Sequence, residues 1–85
     1  MVLNKEELKN KIIYRSLYRG TKEMDNLVGS FVKSIINKLD YNDLILLNEL
    51  INIDDENLYK LNKNLPTSIN VKDNKIVNLF RGFCI

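Results

Sequence analysis

The chain contains no histidine and no tryptophan, and it has only one cysteine among its 85 residues. The absence of histidine excludes histidine general bases, Ser–His and Cys–His nucleophile pairs, and most zinc or iron sites. Because Cys84 has no second cysteine to pair with, no disulfide can form within the chain, and a reducing compartment is the expected setting. These absences remove most of the side-chain chemistry on which catalytic centres depend.

Long apolar runs and an excess of one charge are also missing. No apolar stretch approaches the roughly 20 residues that span a bilayer. The net charge is only +2, and the 13 lysines and arginines are interspersed with 11 acids, so no basic stripe for nucleic acid emerges. The first seven residues include two acids and lack the pattern of a signal or transit peptide. We therefore expect a cytoplasmic protein that does not enter a membrane and has no nucleic-acid partner.

The spacing of apolar residues is helical almost throughout the chain. With 85 residues, 45% of them hydrophobic, the sequence is expected to form one domain, residues 1–85, with a modest core. No strand-like alternation of apolar and polar residues persists. The breaks between helical segments are short, which favours neighbouring helices packed against each other. The sequence therefore predicts an all-α fold, a compact five-helix bundle in a single domain.

The first two predicted helices have the clearest end signals. Asn4 and Glu7 have the spacing of a capping box, and the first helix should stop near Arg19, where Gly20 suits a left-handed closing residue. Thr21 is the expected cap of the second helix, whose apolar stripe marks it as the centre of the bundle. That stripe comprises Met24, Leu27, Val28, Phe31, Val32, Ile35, Ile36 and Leu39.

Three shorter helices are predicted to follow. A break with a new cap at residues 40–43 opens the third helix, and the acids at residues 54–55 open a short fourth one. Residues 62–70 are polar and hold the only proline, so we expect a loop before a fifth helix that runs from residue 71 or 73 to residue 80. The apolar residues expected to build these helices and the inner face of the first are Leu8, Ile12, Ile13, Leu44, Ile45, Leu47, Leu50, Ile51, Leu58, Tyr59, Leu61, Ile76, Val77 and Phe80.

Polar residues look arranged, rather than scattered, only in residues 15–25. The candidate site residues of this segment are Arg15, Tyr18, Arg19, Gly20, Glu23 and Asp25. In a structural interpretation, Gly20 closes one helix, Arg19 interacts with the C-terminal dipole of that helix, and Glu23 interacts with the N-terminal dipole of the next. In a functional interpretation the segment is a docking surface, because arginine grips carboxylates and phosphates in fixed geometry and Gly20 permits close approach. Spacing alone leaves both open.

Other candidate features have plainer explanations. The acids at residues 54–56 could bind calcium or serve acid–base chemistry, but their spacing fits a helix start and no calcium-binding loop follows. Tyr14, Tyr41 and Tyr59 are expected to lie between core and solvent, and Asp25 is expected to be exposed on the polar side of its helix. Since no base, nucleophile or metal set is evident, we expect a protein that is not an enzyme.

The arranged segment also resembles the signature of a known family. The residues that carry the resemblance are Arg15-Ser16-x-x-Arg19-Gly20-x-x-Glu23-x-Asp25, the apolar pair Leu27 and Phe31, and the segments Leu47-x-x-Leu50 and Asp54-Asp55-x-x-Leu58-Tyr59. They resemble the flavin-attachment factors of succinate dehydrogenase, whose signature is Arg-Gly-x-x-Glu and which are called SdhE in bacteria and succinate dehydrogenase assembly factor 2 in mitochondria. The similarity covers about residues 12–62.

The resemblance implies a function for the whole chain. Family members bind the flavoprotein subunit of succinate dehydrogenase, or of fumarate reductase in some bacteria, and promote covalent attachment of FAD to a histidine of that subunit. A bacterial, monomeric chaperone is therefore expected, with no tightly bound cofactor of its own, and direct contact with FAD is left open. The partner-binding residues implied are Arg19, Gly20 and Glu23, extended by Arg15, Asp25 and Tyr18. The residues alone leave open an antitoxin-like or other regulatory protein-interaction module.

Overall fold

A computed structural model describes residues 3–85, and this part of the chain contains five α-helices and no strand. The helices are α1 (Lys5–Leu17), α2 (Lys22–Ile35), α3 (Tyr41–Ile51), α4 (Asp55–Asn62) and α5 (Lys75–Phe80). A 3₁₀ turn, Ile36–Lys38, continues α2. Helix α1 packs against both α2 and α3, and α3 packs against α5. The predicted all-α, five-helix fold is confirmed.

Each α-helix begins at a side chain that accepts a hydrogen bond from a backbone N–H three residues later. Asn4 accepts from the N–H of Glu7 at 2.8 Å, and the carboxylate of Glu7 accepts from the N–H of Asn4, which completes the predicted capping box. Such caps satisfy backbone donors that have no partner within the helix. The five capping residues are Asn4, Thr21, Asp40, Asp54 and Asn74.

The core is built around the apolar stripe of α2, as the spacing predicts. Phe31 is 1% exposed, and its ring packs edge-on against the rings of Phe80 and Phe83, with centroid distances of 5.0 and 5.2 Å. Offset and edge-on aromatic contacts of this kind add about 0.5–1.5 kcal/mol to the gain from burial. The aromatic cluster therefore joins α2, α5 and the segment that follows α5.

A buried amide also ties α4 to the end of the chain. The side-chain nitrogen of Asn62 donates to the carbonyl oxygens of Phe80 and Phe83, at 2.8 and 3.0 Å. The carbonyl of Asn62 accepts from the N–H of Gly82 at 2.7 Å. Residues 80–83 therefore have a fixed path although they lie outside regular structure after Phe80.

The helix ends differ from the predicted ones at three places. Helix α1 ends at Leu17 rather than near Arg19, because the N–H of Arg19 donates to the carboxylate of Asp25 instead of a carbonyl of its own helix. Helix α2 tightens into the 3₁₀ turn before Leu39 is reached. Helix α5 begins only at Lys75, after the Asn74 cap, so the preceding loop is longer than expected.

Ile13, which was expected on the inner face of the first helix, is partly exposed instead, and so is Ile45, which was expected among the apolar residues of the third. Ile13 is 38% exposed on α1, and Ile45 is 39% exposed on α3. Each is the direct neighbour of a fully buried residue, Ile12 and Leu44, and adjacent positions on a helix point about 100° apart. Within residues 3–85, no helix combines the length and the apolar composition needed to cross a membrane.

Candidate functional site

The candidate site is built on the loop that joins α1 to α2. Gly20 lies in this loop with φ at +116°, a conformation that side-chain-bearing residues rarely adopt. A Cβ atom built on Gly20 would meet no other atom within 4 Å, so the glycine faces open space. The structure therefore requires Gly20 for its backbone conformation and leaves its surface open to close approach.

The side chain of Arg19 points into the protein. Its Nε donates to Oδ1 of Asp55 at 2.8 Å, its Nη2 donates to the carbonyl of Ile53 at 2.7 Å, and its Nη1 donates to the carbonyl of Ile51. Only 11% of the Arg19 side chain is exposed. The arginine of the motif thus bridges the end of α3 and the start of α4, and its guanidinium is turned away from solvent.

Asp25 is half-buried, where the sequence indicated an exposed carboxylate. One of its oxygens accepts a hydrogen bond from the backbone N–H of Arg19, six residues earlier. The loop folds back onto the first turn of α2 to make this contact, and the fold-back covers the carboxylate. Asp25 therefore fixes the main chain at Arg19 from one side while the guanidinium fixes it from the other.

The remaining candidate residues, all within five positions of Gly20 in sequence, face solvent. Arg15 and Glu23 are exposed, and Tyr18 is 70% exposed. The ring of Tyr18 packs against that of Tyr14, itself 66% exposed, with centroids 4.9 Å apart. We call the exposed set Tyr14, Tyr18, Gly20 and Glu23 the loop surface.

Two shallow depressions adjoin the loop surface and share Glu23 and Tyr59 in their walls. The larger, of about 380 Å³, lies between α2 and α4, is open to solvent, and is lined by Glu23, Met24, Asp55, Glu56, Tyr59 and Lys60. The smaller, of about 230 Å³, is lined by Glu23, Leu27, Tyr59, Lys63, Phe83, Cys84 and Ile85. Open depressions of this shape suit the side chains of a protein partner better than an enclosed small molecule.

Comparison with known proteins places this sequence in a family. The family model for the flavinator of succinate dehydrogenase (Sdh5) matches residues 10–84. The chain belongs to this family. A similar relative is the mitochondrial succinate dehydrogenase assembly factor 2 of Arabidopsis thaliana, which is 33% identical over 57 residues, or 67% of this chain. The chain spans about 30% of the length of that relative. No solved structure matches the chain.

The match to the flavinator family covers every residue of the loop surface and also the inward-pointing Arg19. The resemblance noted in residues 12–62 is thus extended to residues 10–84, which adds α5 and the segment after it. Within residues 3–85, no group of three or more carboxylate, cysteine or histidine side chains is arranged to hold a metal ion. The roles of individual residues in partner binding stay predictions.

Elsewhere in this flavinator-family chain, perturbed charges serve the fold. The Asp54 carboxylate accepts hydrogen bonds from the side-chain amide and the backbone N–H of Asn57. These bonds, the side-chain bond having the larger effect, lower the pKa of Asp54 below its ordinary value. A hydrogen bond to Asp43 raises the pKa of Lys75, and the two groups lie 2.8 Å apart. The first contact caps α4, and the second joins α3 to α5.

Sequence reasoning missed two features of the site. Asp55 appeared in an acidic run at a helix start and in a segment that carries the family resemblance, but nothing marked it as the partner of Arg19. Tyr14 was expected between core and solvent, and its contact with Tyr18 was not foreseen. The Tyr14–Tyr18 contact could have been found from the sequence, because residues four positions apart on a predicted helix share a face. The pairing of Asp55 with Arg19 had no local signal in the sequence.

Proposed function

We propose that the chain binds the flavoprotein subunit of succinate dehydrogenase and promotes the covalent attachment of FAD to it. The observation that carries the proposal is the family match over residues 10–84, which includes the whole loop surface. The assembly role follows from the family, and the client protein and the flavin step are the proposed part. The chain acts as a chaperone rather than as an enzyme.

The loop surface supplies the features that docking requires. Tyr14 and Tyr18 offer rigid aromatic area, Gly20 lets a partner backbone come close, and Glu23 offers an exposed carboxylate beside them. A few residues carry most of the binding energy in many interfaces, and tyrosine is enriched among them. Arg15, also exposed, directly follows Tyr14 in α1.

The chemistry of attachment belongs to the partner in this proposal. The flavin is joined to a histidine of the flavoprotein subunit, and the chain itself has no histidine to offer. Holding a flavin and an acceptor side chain in reactive geometry can supply several of the about 7–11 kcal/mol available from orientation alone. The chain therefore acts by stabilising one conformation of the client, and FAD stays with the client.

The test is co-expression with the cognate flavoprotein subunit in a host that lacks its own assembly factor of this family. Covalent flavin on the subunit is read by in-gel fluorescence after denaturation. We expect a fluorescent subunit with the wild-type chain and little fluorescence with an empty vector. Equal covalent flavin in both would contradict the proposal. A pull-down from lysate separates the alternative, because recovery of a toxin-like protein in place of the subunit would favour a regulatory module.

A further inference from the structure

The guanidinium of Arg19 joins the end of α3 to the start of α4, although Arg19 itself lies in the loop between α1 and α2. It donates to the carbonyls of Ile51 and Ile53, at the C-terminal end of α3, and to Asp55 in the first turn of α4. The C-terminal end of a helix carries partial negative charge, so a cation is favoured there. Arg19 is the cation of this junction, and it comes from the loop between α1 and α2.

This arrangement leaves the guanidinium with little to offer a partner. Each of its three nitrogens has an acceptor within the chain, and the side chain is 11% exposed. Withdrawing Arg19 from the junction would leave the Asp55 carboxylate and two carbonyls without this donor, which costs free energy. A partner could therefore engage the guanidinium only by weakening the junction between α3 and α4.

The main chain at Arg19 is held as well as the side chain. Its N–H donates to Asp25 in the first turn of α2, and Gly20 follows at once in its left-handed conformation. The loop is thus fixed to α2 through Asp25 and to the start of α4 through Asp55. Glu23 lies in the same first turn of α2, so its placement relative to α4 depends on these contacts.

We propose that Arg19 and Asp55 are positioning residues that hold the loop in the shape that presents Gly20 and Glu23 to the flavoprotein subunit, and that Arg19 does not touch this partner. The partner named here rests on the proposed function. The physical basis is preorganisation, because a loop already in its bound shape loses less conformational freedom on binding. Breaking the Arg19–Asp55 pair lowers affinity even when the chain stays folded.

A double-mutant cycle on Arg19→Lys and Asp55→Asn tests the proposal. Lysine keeps the charge of Arg19 but cannot supply three donors in a fixed fork, and asparagine keeps the shape of Asp55 without its charge. The dissociation constant for the purified apo-flavoprotein subunit is measured by calorimetry under conditions in which urea unfolding shows each variant to be folded. The matched controls are Arg81→Lys and Asp73→Asn, whose 3.1 Å ion pair flanks α5.

Both single variants should weaken binding, each by about tenfold. The dissociation constant of the double variant should be no larger than that of the single variant that binds less tightly, because both changes remove the same restraint. The controls should bind like the wild-type chain. Hydrogen exchange of the free protein gives a second readout, in which residues 18–23 exchange faster in both variants while the buried part of α2 stays protected.

Three results would overturn the proposal. Unchanged affinity in folded variants would make Arg19 a purely structural residue, and additive losses in the double variant would mean that Arg19 and Asp55 contact the partner separately. If Arg19→Lys does not fold, Asp55→Asn, at a side chain that is 31% exposed, decides alone, and unchanged affinity in it overturns the proposal. Failure of the wild-type chain to bind overturns the proposed function instead, and exchange at residues 18–23 then decides whether Arg19 holds the loop.

Discussion

Tyr14 and Tyr18 pack against each other at the C-terminal end of α1, with ring centroids 4.9 Å apart and ring planes inclined at 44°. Both side chains are more than half exposed. Tyr18 directly follows the last residue of α1 and lies four positions after Tyr14, a spacing that brings side chains to one face of a helix, so the contact follows from their spacing. An aromatic pair left in water beside the Gly20 loop is typical of a surface that a partner covers.

Replacing Tyr18 with alanine should weaken binding to the flavoprotein subunit without unfolding the chain. The loss expected for an aromatic anchor is about 2 kcal/mol, or about thirtyfold in dissociation constant. Because Tyr18 is largely exposed, the free energy of unfolding should fall by less than about 1 kcal/mol. Calorimetric titration measures the first quantity and urea unfolding the second.

Leu79→Ala is the matched control for Tyr18→Ala, since Leu79 is a large apolar residue that is 54% exposed on α5. It should bind the subunit like the wild-type chain. Equal losses of affinity in both variants would mean that exposed apolar area in general, and not the aromatic pair, governs binding.

Glu23→Gln should reduce covalent flavin on the client while leaving the fold nearly unchanged. Glutamine keeps the size of the side chain and removes the exposed charge next to Gly20. The change at the first turn of α2 costs about 0.3–1 kcal/mol of helix stabilisation, which is small beside the stability of a domain. Quantitative in-gel flavin fluorescence after co-expression is the measurement, and Glu49→Gln, at an exposed acid of α3, is the control. Full flavin attachment with Glu23→Gln would remove Glu23 from the docking surface.

Gly20→Arg should abolish binding to the subunit and keep most of the helical circular dichroism signal. The new side chain would project from a site that faces open space, so it would block a partner rather than clash within the chain. The backbone conformation at φ +116° adds about 1–3 kcal/mol of strain for any residue with a side chain.

Gly82→Ala separates strain from obstruction in this experiment. Gly82 also has a positive φ, of +72°, with no atom within 4 Å of an added Cβ, and it lies after α5. The variant should lose about 1–2 kcal/mol of stability and bind normally. Loss of folding in Gly20→Arg, rather than loss of binding, would favour a purely structural role for Gly20.

The free energy of unfolding should decrease in acid, in part because Asp54 loses its charge. Because donation from Asn57 lowers the pKa of Asp54 below its ordinary value of 3.8, the carboxylate stabilises the fold above that pH, and the contribution is lost as the pH falls through the lowered pKa. Asp54→Asn keeps a capping oxygen but removes this titration. Urea unfolding between about pH 2 and pH 5 should therefore show a shallower decline for the variant. Identical declines would contradict the assignment.

The helix starts could be predicted because their signals are local. Asn4 with Glu7, Thr21 and Asp54 cap helices through hydrogen bonds to residues three positions away, and a short stretch of sequence contains both partners. The apolar stripe of α2 is equally local, since its period of about 3.6 residues is visible within a few turns. These features sufficed for the five-helix fold.

The inward turn of Arg19 could not be predicted in this way. Its acceptors on Ile51, Ile53 and Asp55 lie 32 to 36 positions further along the chain, so only the packing of α3 and α4 against the loop brings them together. The half-buried state of Asp25 has the same origin, because it depends on the path of the loop. The Arg19-Gly20-x-x-Glu23 motif located the site in the sequence. Only the tertiary structure showed that Arg19 points inward while Gly20 and Glu23 face solvent.

The most direct test of the central claim is reconstitution from purified components. The apo-flavoprotein subunit is mixed with FAD, with and without the wild-type chain, and the covalently bound flavin is followed over time after denaturation. A chain that holds its client in reactive geometry should raise the initial rate at least about tenfold. The same rate with and without the chain would contradict its proposed role as a flavin-attachment factor.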